Sequence, residues 1–374
     1  MHHALVITGR LGRVSPVFLT PLWIVLALVA AWPWAELRLA SGLVFGLFLT
    51  SDVLMLSLLP LTKRSWGPVT PPLMGLTLIR CASFWTTGML TSGPGSLGAV
   101  TLLNLGISAL AIYATWIEPF RIQLTEQEYG VSNWAGSERV RVLHLSDIHF
   151  ERASLREARL LDLVEAHPAD MLVLTGDYMS LSSVYDPEAQ QGVRDLLAQL
   201  APLFPAGVYA IGGSPVVDRE NIVPAIFADL PIRWLDDETT VVRVGKHELW
   251  LAGVHCTYRI ERDVNTVKAL VAAAPPGLPR MLLYHTPDLM PFLGGLCLDL
   301  YLCGHTHGGQ IRMPFFGAVA TSSRWGKRYE QGRYLEDGIL LYISRGLGLE
   351  GLGAPRARFL APPEAILWHL KPLS

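Results

Sequence analysis

The sequence predicts an α/β domain of two packed sheets with helices outside, preceded by an all-α apolar region. Three observations carry this. Between Val14 and Phe120 the only formal charges are Glu36, Arg38, Asp52, Lys63, Arg64, Arg80 and Glu118. Past Phe120, short apolar runs alternate with helical periods, giving too many strands for one simple parallel sheet. Finally, each Asp or His motif of that second half directly follows a strand, and sites in α/β folds gather at the carboxyl ends of strands.

The 374 residues have mean hydropathy +0.34, and 51% are apolar. Net charge is −2 with no basic tail, which argues against a nucleic-acid partner. Four apolar stretches, 17–35, 39–61, 73–90 and 97–117, each approach the ~20 residues that span a bilayer. The first also resembles a secretory signal in length, but it lacks a small-residue cleavage site and three more stretches follow. With four spans, Arg10, Arg13, Lys63, Arg64 and Arg121 share one side and Arg38 takes the other. The positive-inside rule then puts the C-terminal domain in the cytoplasm, with the cell membrane as the expected location. Asp52 and Arg80 fall inside spans and are expected to pair structurally rather than to form an ion path. Cys81, Cys256, Cys297 and Cys303 contain no C-x-x-C and read as buried thiols, with a 297–303 bridge left open.

The expected division is a transmembrane helical domain over 1–120, a polar connector over 121–138 and a catalytic domain over 139–374. In the last, residues 140–145, 171–174, 207–211, 281–284, 298–303, 339–344 and 366–370 read as strands. Stretches 241–244 and 249–254 read as a hairpin, and 155–166, 189–200, 223–229 and 263–273 as helices.

Asp147-Ile148-His149, Gly176-Asp177, His285 and Gly304-His305-Thr306-His307 supply six oxygen and nitrogen donors from four loops. Carboxylates and imidazoles in that number suit two divalent ions, with one carboxylate able to bridge. Extended backbone would point positions 147 and 149 the same way. His144, His167, His255 and His369 read as structural.

Leu145-Ser146-Asp147-Ile148-His149, Thr175-Gly176-Asp177 and Cys303-Gly304-His305-Thr306-His307-Gly308-Gly309-Gln310 resemble the calcineurin-like metallophosphoesterases. Ser344-Arg345-Gly346-Leu347-Gly348 and the ending 358–364 resemble their membrane-anchored branch. The resemblance implies a four-layer αββα sandwich holding two divalent ions, Mn, Fe or Zn. Asp147, His149, Asp177 and His307 would hold the first ion. Asp177, His285 and His305 would hold the second, with Asp177 bridging and Asp177 and His305 serving catalysis. A hydroxide bridging the ions would cleave a phosphoester or pyrophosphate bond.

The family's Gly-Asn-His-Asp loop reads here as Gly212-Gly213-Ser214-Pro215. Set in that register, Gly213 replaces the Asn ligand and Ser214 the catalytic His. A weakened second site and attenuated activity are then expected, and Gly213→Asn with Ser214→His should raise turnover. The expected partners are membrane lipids and a phosphorylated substrate, a lipid-linked phosphate or pyrophosphate among the options. The alternatives are a pseudoenzyme that binds a phospho-ligand without turnover, and a membrane transport or scaffold protein with a regulatory soluble domain.

Overall fold

The structure, a computed structural model, describes residues 14–131, 138–349 and 356–372. Arg10 and Arg13, which enter the charge count above, lie outside that range. The chain divides into two compact units, one reaching Ile117 and including Arg356 and Ala357, the other starting at Glu118.

The first unit contains helices α1 (Thr20–Ala31), α2 (Arg38–Leu61), α3 (Thr70–Leu90) and α4 (Pro94–Ile112), so all four apolar stretches are helical. Two runs, Val17–Leu61 and Pro94–Phe120, are long and apolar enough to cross a membrane. The longer run folds back at Ala35, whose φ of 45° breaks the helix between α1 and α2. α3 is not among them, because Arg80 and several Thr and Gly residues dilute it.

Arg80 and Asp52 form a buried two-pronged ion pair, with Nε and Nη2 each 2.7 Å from a carboxylate oxygen. The remaining donors reach the Asn104 carbonyl and Ser108 Oγ, both at 2.9 Å, and the guanidinium lies over the Phe48 ring. α2, α3 and α4 are thereby joined through one side chain. Meanwhile Leu39, Leu43, Leu47, Leu78, Leu102 and Leu103 point outward. Polar groups inside and leucines outside are what a hydrocarbon solvent favours.

The second unit is built on two six-stranded sheets. One contains β1 (Gln123–Val131), β2 (Val140–Leu145), β3 (Met171–Leu174), β4 (Val208–Ala210), β5 (Ile232–Trp234) and the last strand, β14 (Glu364–Pro372). The other contains β6 (Glu238–Val244), β7 (His247–Gly253), β8 (Arg280–Leu283), β9 (Leu300–Cys303), β12 (Gly332–Glu336) and β13 (Ile339–Ile343). Their orders are β1-β14-β2-β3-β4-β5 and β12-β13-β9-β8-β7-β6.

Side-chain alternation builds the layers. Val142, Val173, Met281, Leu283, Leu302 and Trp368 fill the space between the sheets. Leu143 and Leu172, from the opposite face of their strands, meet Leu160 of α5 (Leu155–Ala166) and Val193 and Leu197 of α6 (Pro187–Leu200). On the far side, Leu282 and Tyr301 meet Val264 and Val267 of α8 (Ile260–Ala272); a short α7 (Val223–Phe227) lies beside α6. The sequence of layers is helix, sheet, sheet, helix.

The expected polar connector contains β1, which pairs in parallel with β14 at the sheet edge. Its sequence, Gln-Leu-Thr-Glu-Gln-Glu-Tyr-Gly-Val, is polar because an edge strand shows one side to water. All four cysteines are free thiols; Cys297 is exposed and the other three are buried.

Candidate metal centre

β2, β3, β8 and β9 are neighbours in the middle of their sheets, and the loops at their carboxyl ends meet. Asp147, His149 and His307 form one group; Asp177, His285 and His305 form another. Within each group, ligand atoms from all three residues lie within 4.8 Å of one another. Asp177 Oδ2 faces both groups, 3.6 Å from His149 Nε2 and 3.3 Å from His285 Nε2. His305 and His307 point to different groups despite their i, i+2 spacing. His144, His167, His255 and His369 stay outside, bonded to Thr175, Leu163, Asp236 and Glu126.

The backbone here is not the extended stretch expected at 147–149. Asp147, His149, Asp177, His305 and His307 all have φ between 43° and 72°. Such left-handed backbone is costly for residues with a side chain and persists where the surroundings impose it. Glycines make the imposition possible. A Cβ on Gly304 would run into Asp147 and Ser146, and one on Gly348 would meet His149. The Leu347 and Gly348 amides donate to the Asp147 carbonyl, which gives the Ser-Arg-Gly-Leu-Gly motif its place.

The electrostatics fit cations. Burial pushes His149 down to about 4, His305 to about 3 and His307 further, so these rings are neutral and offer lone pairs. His149 and His307 bring their Nε2 atoms to 3.1 Å. Burial also raises Asp147 to about 6. Burial opposes the charge on His285, yet Asp177 and Asp147 hold it up to about 10. Asp177 stays well below the usual carboxylate range; burial raises it, and His285 outweighs that. So many buried lone pairs aimed at one another call for positive charge, and a mixed N/O donor set suits divalent metal ions.

In the loop at 212–215 it is Ser214, and not Gly213, that faces the two groups. Gly213 has no room for a side chain, because a Cβ there would run into the backbone and carboxylate of Asp177. Ser214 is the residue that reaches the centre. Its N–H donates to Asp177 Oδ1 at 2.6 Å, and its Oγ lies 3.2 Å from Asp177 Oδ2 and 3.1 Å from His285 Nε2.

Two residues here escaped the sequence reading. Asp218 is buried and accepts from the amides of Asp177, Tyr178 and Gly213, at 2.6, 3.0 and 2.8 Å. It ties the Asp177 turn to the Gly213 loop; the flank Asp218-Arg219-Glu220 fits the family in sequence, but that fit does not announce this role. Tyr258, from the loop after β7, donates to Ser214 Oγ at 2.9 Å, and no motif announces it.

A family model described as calcineurin-like phosphoesterase matches residues 140–309. The chain is 31% identical over 273 residues to the uncharacterized metallophosphoesterase YkuE of Bacillus subtilis, covering 69% of this chain and 89% of that protein. It is 28% identical over 216 residues to the phosphodiesterase YaeI of Escherichia coli, covering 56% and 75%. It is 38% identical over 311 residues to the UDP-2,3-diacylglucosamine pyrophosphatase LpxG of Chlamydia trachomatis, covering 68% and 91%.

Proposed function

Because the chain belongs to the calcineurin-like metallophosphoesterases, we propose that it is a membrane-anchored, metal-dependent phosphohydrolase acting on a phosphoester or pyrophosphate bond. The observation that carries this reading is the convergence of Asp147, His149 and His307 with Asp177, His285 and His305 around one shared carboxylate.

Asp147, His149, Asp177 and His307 would hold the first ion, and Asp177, His285 and His305 the second. Bound there, two divalent ions neutralise charge on a phosphoryl group and lower the pKa of water. The protein fixes the geometry. The Thr175 carbonyl takes the Nδ1 proton of His285 at 2.8 Å, which turns Nε2 inward as a ligand atom. The Gly304 and His305 loop packs on Asp147, whose carboxylate accepts from the His305 amide at 3.0 Å. Buried Arg358 sits between the Gly346 and Gly348 carbonyls beside His307 and keeps positive charge near the centre.

The anchor is residues 1–120, with α1–α4 as four spans, residues 121–138 leading into the domain, and 139–374 facing the cytoplasm. The outward leucines and the inward Asp52–Arg80 pair support a lipid environment. The substrate class we favour is a lipid-linked phosphate or pyrophosphate. It is supported by the likeness to LpxG and by a hairpin, β10 (Arg312–Met313) and β11 (Gly317–Ala318), that exposes Met313, Phe315, Phe316 and Val319 just past the His307 loop. Read one residue along, with Ser214 in the place of the family's Asn and Pro215 in that of its His, the loop has no donor at the His position, which favours one second reading, a protein that binds a phospho-ligand without turnover.

The test is hydrolysis of p-nitrophenyl phosphate and bis-p-nitrophenyl phosphate by the purified protein with Mn²⁺. Turnover abolished by Asp177→Asn is expected. Two bound ions with no hydrolysis of either ester would favour the second reading.

A further inference from the structure

We infer that Ser214 and Tyr258 together replace the missing Asn-His pair: the Ser214 hydroxyl completes the donor set of the second ion, and the Tyr258 hydroxyl faces the phosphoryl group as its hydrogen-bond donor. The inference rests on the two-ion reading above and concerns how this chain serves that site without the usual loop.

The first half follows from hydroxyl bookkeeping. Ser214 Oγ has one hydrogen and two lone pairs. Three groups surround it: Asp177 Oδ2 at 3.2 Å, His285 Nε2 at 3.1 Å and the Tyr258 hydroxyl at 2.9 Å. Two of these are themselves ligand atoms of the second group. An oxygen in contact with two ligands of one ion already lies where a further ligand of that ion belongs. The backbone holds it there, since the Ser214 N–H donates to the other oxygen of Asp177 and the Gly213 N–H to Asp218.

The second half follows from what Pro215 lacks. Proline offers neither a side-chain donor nor an N–H. Tyr258 enters from a different sheet to stand beside the same oxygen. Its φ is 60°, in the left-handed region shared with five of the ligands and costly for an aromatic residue. That conformation is enforced by its neighbours: Thr257 donates to buried Asp263 through both N–H and hydroxyl, and the Arg259 amide donates to Thr257. The Tyr258 ring lies 5.9 Å from the His305 ring, yet the residue is 39% exposed. The residue thus touches the centre through its hydroxyl and is also open to solvent. When a cation draws the Ser214 lone pair, the Tyr258 hydroxyl is placed to donate to a phosphoryl or leaving oxygen as charge builds there.

The test uses the full chain in detergent with Mn²⁺, and compares wild type, Tyr258→Phe, Ser214→Ala and Tyr258→His. Manganese titration reads the ion sites, calorimetry with inorganic phosphate reads the donor, and aryl phosphates of rising leaving-group pKa read the leaving oxygen. Ser214→Ala is expected to weaken the second manganese by about tenfold or more. Tyr258→Phe is expected to leave manganese stoichiometry intact, weaken phosphate by about tenfold, the worth of one hydrogen bond, and steepen the leaving-group dependence. Tyr258→His should recover phosphate affinity.

A merely structural tyrosine would lower thermal stability and slow every ester equally. That result, or phosphate affinity unchanged in Tyr258→Phe, overturns the inference, as does unchanged second-ion affinity in Ser214→Ala. Wild type that binds manganese and phosphate but hydrolyses nothing would sink the hydrolase reading alone, and the phosphate measurements would still decide the role of Tyr258.

Discussion

Nε2 of His285 stands 3.3 Å from Oδ2 of Asp177, while the other ring nitrogen is committed to the Thr175 carbonyl. A carbonyl only accepts, so Nδ1 carries hydrogen and Nε2 needs a positive partner against the carboxylate. In the ion-free protein that partner is a proton, held up to about 10. Manganese uptake between about pH 7 and 9 should therefore release a proton. Calorimetry in buffers of different ionisation enthalpy measures it, and no release would sink the argument. The linkage has a definite sign. The folded pKa is above the unfolded value of about 6.5, so the pair's contribution is full below that pH and fades as pH rises through about 10. Melting temperature of the ion-free protein should fall across that window.

Gly213 packs its backbone directly on Asp177, with no volume for a Cβ. Gly213→Ala should cost about 1–3 kcal/mol through overpacking and lower second-ion affinity by displacing Asp177. The double change Gly213→Asn with Ser214→His, attractive in the sequence register, should reduce turnover rather than restore it. Ser214→Asn alone leaves Gly213 in place and sets an amide oxygen at the position that faces the second group, and should preserve or raise manganese affinity. Thermal melts and metal titrations of the three variants check this; a gain from the Gly213→Asn pair would restore the original register.

Strand cores and metal donors were legible because both leave local signals. Val140–Leu145 and Met171–Leu174 are apolar runs with fixed ends, and Asp-x-His or Gly-His-x-His needs no tertiary knowledge. β1 was not legible, since an edge strand against solvent carries polar residues that look like a linker. Asp218 and Tyr258 were hidden for a different reason. Their roles are contacts across 41 and 44 positions of chain, set by where two loops meet. The Gly-Gly pair likewise offers two alignments of its loop, and the packing of Gly213 against Asp177 favours the one that turns Ser214 to the centre.

Asp52 and Arg80 are 2% and 1% exposed, and the guanidinium also holds α4 through Asn104 and Ser108. Removing one partner leaves an uncompensated buried charge, at a cost of about 3–5 kcal/mol. Arg80→Met and Asp52→Leu should each lower the melting temperature of the detergent-solubilised chain strongly. The double variant should be milder than either single one, because it leaves no lone charge. Thermal unfolding monitored by aggregation reads the ranking. A double variant as damaged as the sum of the singles would mean that each residue acts alone, and an ion path would regain its footing.

Phe315 is fully exposed at the tip of the β10–β11 hairpin, and Phe316, Met313 and Val319 are each more than half exposed. Four large apolar side chains on one short hairpin are costly in water, at roughly 25 cal/mol for each Å² left exposed. The hairpin begins at Arg312, five positions past the ligand His307, and Arg312 itself donates to the Gly308 carbonyl. Acyl chains on a substrate whose phosphoryl group sits at the centre would find an apolar surface here. Phe315→Ser with Phe316→Ser should raise KM for a lipid-linked phosphate or pyrophosphate by about tenfold, with kcat and turnover of bis-p-nitrophenyl phosphate nearly unchanged. Equal losses on both substrates would show that the hairpin supports the His307 loop instead, and no loss on either would remove the lipid-contact role.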